Sequence, residues 1–142
     1  MARECERVGH TMESKSILVI EDDVDLLRQL GAAFAGAGYE VHAATDGEIG
    51  LKRFRSVAPD LVLTDILMPS REGLETIMAM REARPDVKII AMSGGGRIGP
   101  YEFLNLAHHL GADAVLAKPF RLGDLITLVQ QTLATGPQLQ EA

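Results

Sequence analysis

Short unbroken apolar runs alternate along this chain with stretches in which apolar residues recur every three or four positions. Residues 16–20 (SILVI) are continuous, apolar and partly β-branched, the pattern of a strand covered on both faces. From Val24 the period lengthens: Val24, Leu27, Leu30 and Phe34 predict a helix, which Gly36 and Gly38 should end. The same two beats then repeat. Residues 39–44 predict a second strand, and Thr45 with Glu48 fits a capping box ahead of a helix through Ile49, Leu51, Phe54 and Val57. A third strand at 60–64 precedes a loop beginning at Met68 and a helix through Leu74, Ile77, Met78 and Arg81, broken at Pro85. Residues 87–92 predict the fourth strand, residues 93–96 a loop, and Phe103, Leu106, Ala107 and Leu110 a helix ending at Gly111. Residues 114–117 predict the fifth strand, and Leu122, Leu125, Ile126, Val129 and Leu133 the last helix.

Five strands alternating with five helices predict an α/β domain with a parallel sheet between two helical layers. Right-handed crossovers leave few topologies, and the flavodoxin-like (βα)5 order 2-1-3-4-5 is the expected one. The domain should span residues 16–134, with a disordered tail at 1–15 and a short tail at 135–142. No sequence repeat lies behind the architectural beat.

Composition narrows the function. Apolar residues make up 46% and charged residues 24% of 142 residues, enough for an ordinary core. The lone Cys5 allows no internal disulfide. A net charge of −6 suits neither nucleic acid nor anionic lipid, and no apolar run is long enough to span a bilayer. With no apolar leader at the amino terminus, a cytoplasmic location is expected, without membrane insertion. The four histidines share no metal-binding spacing, and the glycine-rich segment 94–99 lacks the lysine and hydroxyl of a phosphate loop.

The informative residues stand where the apolar runs stop. Strand 1 runs into Glu21, Asp22 and Asp23, strand 3 into Thr64 and Asp65, strand 4 into Ser93, and strand 5 into Lys118 and Pro119. In a parallel sheet these ends share one edge. Helix capping accounts for Asp23 or Ser93 taken singly. It does not account for a lysine opposite several carboxylates.

Taken together, residues 17–22 (ILVIED), 61–69 (LVLTDILMP), 90–94 (IAMSG) and 117–120 (AKPF) resemble the receiver domain of two-component response regulators. The resemblance covers roughly residues 16–134. It implies that Asp65 accepts a phosphoryl group and that Mg²⁺ is held by Glu21, Asp22, Asp65 and the backbone carbonyl of Leu67. It further implies that Ser93 is a switch hydroxyl, that Lys118 pairs with the phosphoryl group, and that the bond before Pro119 is cis. The implied donors are a histidine kinase or a histidine phosphotransfer protein. The output is expected to be an unidentified downstream protein met by helix 4, strand 5 and helix 5, and the net charge of −6 argues against direct contact with nucleic acid.

The chemistry is coherent on its own terms. A carboxylate can attack phosphorus and carry it as an acyl phosphate. Like charges about 4 Å apart repel by about 4 kcal/mol at an effective dielectric near 20, so three carboxylates facing a phosphoryl donor need a cation. Mg²⁺ fits, because it prefers oxygen ligands and combines one or two carboxylates with phosphate.

Three departures from the family pattern stand out. Glu21 replaces the more usual aspartate, Val115 occupies the place of a switch aromatic, and the segment after strand 4 is long and glycine-rich. Switching is therefore expected to run through Ser93 and residues 94–104. Only nine residues follow Leu133, so a stand-alone receiver is expected, not itself an enzyme on external substrates. Two alternatives remain at this point: a degenerate receiver serving as a constitutive scaffold, and a small aspartate-nucleophile phosphatase. The haloacid-dehalogenase type of the latter would want an aspartate where Leu67 stands.

Overall fold

A computed structural model of the chain describes residues 14–66, 72–93, 109 and 111–135. The elements run β1 (Ser16–Ile20), α1 (Val24–Gly36), β2 (Glu40–Ala44), α2 (Gly47–Val57), β3 (Leu61–Asp65), α3 (Glu72–Ala83), β4 (Lys88–Ser93), β5 (Ala114–Ala117) and α4 (Leu122–Ala134). The strands form one sheet in the order β2-β1-β3-β4-β5, with every pairing parallel. This is the flavodoxin-like order expected from the alternation. The helix expected around residues 103–110, and both terminal tails, lie outside the described residues.

Alternation within each strand sends side chains to two cores. Leu18, Ile20, Val62, Ile89 and Ala91 pack with Phe54 of α2 and with Ile77 and Met80 of α3. Ile17, Val19, Leu61, Leu63, Ile90 and Met92 pack with Leu30 and Phe34 of α1 and with Leu125 and Val129 of α4. Each such large apolar side chain contributes about 1.5–3 kcal/mol when fully buried. Both faces of the central strands are therefore apolar, and polar residues are confined to strand ends.

Local signals were displaced by a residue in several places. Asp46, not Thr45, caps α2, its Oδ1 accepting from the Ile49 N–H at 2.8 Å. Asp65 is the last residue of β3, which runs Leu61–Asp65 where residues 60–64 were expected. The helical stripes also shift. Val24, Ile49, Met78 and Leu122 are exposed, while Gly50 and Met80 face the core. A helix buries whichever face meets the sheet, and one step along the sequence turns a side chain by about 100°.

The amino edge of the sheet is tied by polar clamps. Asp60 Oδ2 accepts from the Ser16 N–H at 2.8 Å, joining the starts of β1 and β3. Arg81 donates to the carbonyls of Pro85, Val87 and Gly111 and to Asp113 Oδ2 at 2.9 Å. The same Asp113 oxygen accepts from the Ile89 N–H at 2.8 Å. At the opposite, carboxyl edge stand Glu21, Asp22 and Asp65. Among the described residues no helix is long and apolar enough to cross a membrane.

Candidate functional site

Glu21 directly follows β1, and its N–H donates to the Ala44 carbonyl at 3.0 Å, extending the β1–β2 ladder by one residue. That bond turns the Glu21 side chain inward, where it is 1% exposed. Asp22 is exposed beside it. Asp23 turns away, and its Oδ1 accepts from the N–H groups of Asp25 and Leu26, capping α1. The helix-cap reading is thus the right one for Asp23. Asp65, 6% exposed, ends the neighbouring central strand. One oxygen from each of Glu21, Asp22 and Asp65 lies within 4.8 Å of the others.

Lys118 enters from β5, two strands away from β3. Its Nζ donates to Glu21 Oε1 at 2.8 Å and to Asp65 Oδ2 at 3.0 Å. The following Lys118–Pro119 bond is cis, as the resemblance implies. The second Glu21 oxygen accepts from the Asp23 N–H at 3.0 Å. Glu21 is therefore the partner of Lys118 as well as a candidate cation ligand. The sequence offers a signal for this only in the extra methylene that separates glutamate from the usual aspartate.

Burial is the largest influence on Glu21 and lifts its pKa above the ordinary glutamate value, against the hydrogen bonds from Lys118 and the Asp23 N–H. Burial also works to lower the pKa of Lys118. Its hydrogen bonds to Glu21 and Asp65, and their charges, outweigh that effect and hold the ammonium above the ordinary lysine value. Three carboxylates against one ammonium form an electronegative cluster in a half-buried setting. An all-oxygen donor set of this kind, open on the Asp22 side, fits a hard divalent cation such as Mg²⁺.

The remaining predicted site residues divide. Ser93 is the last residue of β4, paired with Ala117 and one step beyond Met92, the partner of Asp65. The backbone register thus brings position 93 beside Asp65 and Lys118. The Ser93 hydroxyl, Leu67 with its carbonyl, and residues 94–104 lie outside what is described. Val115 packs against the core beneath α2 and α3. His42 pairs with Glu40 on the edge strand at 2.9 Å and takes no part in the acidic cluster.

The sequence matches the response regulator receiver domain family over residues 17–130. The chain belongs to that family. This receiver is 37% identical to the response regulator receiver protein CpdR of Brucella abortus over 120 residues, covering 84% of this chain and 97% of CpdR. It is 34% identical over 117 residues to the regulatory protein AtoC of Escherichia coli, spanning 82% of this chain but only 25% of that relative. The fold superimposes on a CheY-like receiver domain protein from Methanospirillum hungatei with a TM-score of 0.77 at 29% identity. That match covers 85% of this chain and 94% of the other.

Proposed function

We propose that this receiver is a phosphorylation-controlled binding module in which Asp65 is the phosphoacceptor. A carboxylate oxygen of Asp65 attacks the phosphorus of a phosphohistidine on a histidine kinase or phosphotransfer protein. The P–N bond breaks as the new P–O bond forms, and the departing imidazole takes up a proton. Glu21, Asp22 and Asp65, with the Leu67 carbonyl, would hold Mg²⁺. Bound there, the ion supplies positive charge against which phosphoryl oxygens can approach the carboxylates. Lys118 would exchange its contact with Asp65 for one with the phosphoryl group, acting as a compact cation on a flexible stem. Ser93 would donate its hydroxyl to a phosphoryl oxygen and transmit the change to residues 94–104.

The observation that carries this reading is the Lys118 ammonium, 2.8 Å from Glu21 and 3.0 Å from Asp65 within a cluster of three carboxylates. The domain is proposed to span residues 16–134 and to act in the cytoplasm. It would transform no external substrate, and would signal through a protein met by the face that includes β5 and α4. A constitutive scaffold or a phosphatase is not favoured by the family relationship.

Incubation with a small phosphodonor and Mg²⁺, followed by intact mass, tests the proposal. One acid-labile phosphoryl group per chain is expected, and Asp65→Asn should acquire none while remaining folded. Phosphorylation of Asp65→Asn at the wild-type rate would place the acceptor elsewhere. Absence of any wild-type adduct would point to the scaffold instead.

A further inference from the structure

Gly50 lies inside α2, away from either end, and its backbone is not in the left-handed region that calls for glycine. Alanine is the better helix former at such a position. The reason for glycine lies across the core. A Cβ at position 50 would stand 2.5 Å from Cδ1 and 2.9 Å from Cγ1 of Ile20, closer than packed carbons approach. The missing side chain is filled by its neighbour's isoleucine.

Ile20 has little freedom to yield. It is fully buried among Leu18, Ala44, Phe54 and Val62, and its branched Cβ restricts χ1. Its backbone is paired to Ala44 on one side and Thr64 on the other. The next residue is Glu21, which contacts Lys118 and belongs to the acidic cluster. If β1 gave way to a side chain at position 50, its end would carry residues 21 and 22 with it. If α2 gave way instead, it would draw on the segment after Ala44, whose carbonyl anchors the Glu21 N–H. Both routes of relief end at Glu21.

We propose that Gly50 is a positioning residue for the metal and phosphoryl site, seating Ile20 so that Glu21 and Asp22 face Asp65, a role that rests on the site reading proposed above. Gly50→Ala should weaken Mg²⁺ binding by about tenfold, the scale of loss when a ligand's support is disturbed. Adding Ile20→Val, which removes the closest clashing methyl group, should restore most of the affinity. Gly36→Ala is the control. It lies at the end of α1, where an added Cβ meets nothing within 4 Å, and it should leave Mg²⁺ affinity unchanged.

Calorimetric Mg²⁺ titration of the four proteins is the measurement, paired with backbone amide shifts of residues 21, 22 and 118 in metal-free protein. Wild-type affinity in Gly50→Ala would overturn the proposal even if its melting temperature fell, since the contact would then be packing alone. Failure of Ile20→Val to rescue would overturn it as well. If the wild type binds no Mg²⁺, the metal reading is wrong, and the amide shifts decide the positioning role by themselves. Unmoved shifts in Gly50→Ala would end it. If Gly50→Ala does not fold, Ile20→Val is compared with and without the added alanine. The alanine should then tighten Mg²⁺ binding by refilling the space, and equal affinities would refute the role.

Discussion

Glu21 faces two demands at once. Its carboxylate is almost fully buried, yet it holds the Lys118 ammonium at 2.8 Å and belongs to the cluster suited to a cation. Burial, the dominant effect, raises its folded-state pKa above the 4.5 expected of an unburied glutamate. The folded protein therefore binds more protons at this position than the unfolded chain between those two values. The sign follows from linkage: this group's contribution to stability is greatest at and below pH 4.5 and is lost as pH rises through the folded-state pKa. Glu21→Gln removes the titration. The stability of metal-free wild type relative to Glu21→Gln should accordingly improve on acidification from neutral pH towards 4.5, read from urea melts at several pH values. A difference that is flat or of opposite slope would show that Lys118, not burial, governs the group.

The elements are held in register by groups at the edge away from the site. Arg81 on α3 reaches the turn before β4, the residue preceding β5 and the Gly111 carbonyl, using its planar fork to satisfy three backbone acceptors and Asp113. Arg81→Ala should cost about 2–3 kcal/mol, because Asp113 and these carbonyls lose a charged donor in a partly buried setting. Arg81→Lys should recover little of it, as a point cation cannot span the same acceptors. Chemical denaturation of the three proteins measures both effects. The glycines of the helices divide in a similarly specific way. A Cβ on Gly31, midway along α1, would meet only Val41 Cγ1 at an ordinary 3.9 Å. Gly31→Ala should therefore stabilise the domain by about 0.5–1 kcal/mol through helix propensity, raising the urea midpoint at constant slope. The same change at Gly50 meets Ile20 and should not stabilise.

At the scale of the molecule, the parallel sheet gathers one side's strand ends into an electronegative site while its apolar faces hold the helices. Any cation that binds the folded cluster and not the unfolded chain must stabilise the whole domain. At one hundred times its dissociation constant, Mg²⁺ should add about 2.7 kcal/mol. Asp22→Asn removes an exposed carboxylate of the cluster without disturbing the Glu21–Lys118 pair, so it should fold normally and, on the proposed reading, respond far less. Thermal melts with and without Mg²⁺ check this, and equal shifts in both proteins would remove Asp22 from the metal site. Metal-free Asp22→Asn should also be slightly more stable than wild type, because one of three mutually repelling carboxylates is neutralised.

The element order, the parallel sheet and the candidate residues Glu21, Asp22, Asp65 and Lys118 were legible in the chain itself. Apolar runs alternate in period with helices, and in the central strands β1, β3 and β4 polar residues stand only towards the ends. Periodicity could not say which turn of each helix meets the sheet. Met78 and Ile49 point outwards, while Met80 and Gly50 take the inward positions, because packing against a particular neighbour selects the face. Capping by Asp46 in place of Thr45 is decided in the same way, by which side-chain oxygen reaches the third amide of α2. Contacts across long separations left little or no trace in the local pattern. Arg81 with Asp113, Glu21 with Lys118 and Gly50 with Ile20 lie 32, 97 and 30 residues apart. Local propensity and pattern act over a few residues, and so they set the elements and their order. Distances between side chains on different elements exist only once the sheet has closed, and the tertiary structure alone decides them.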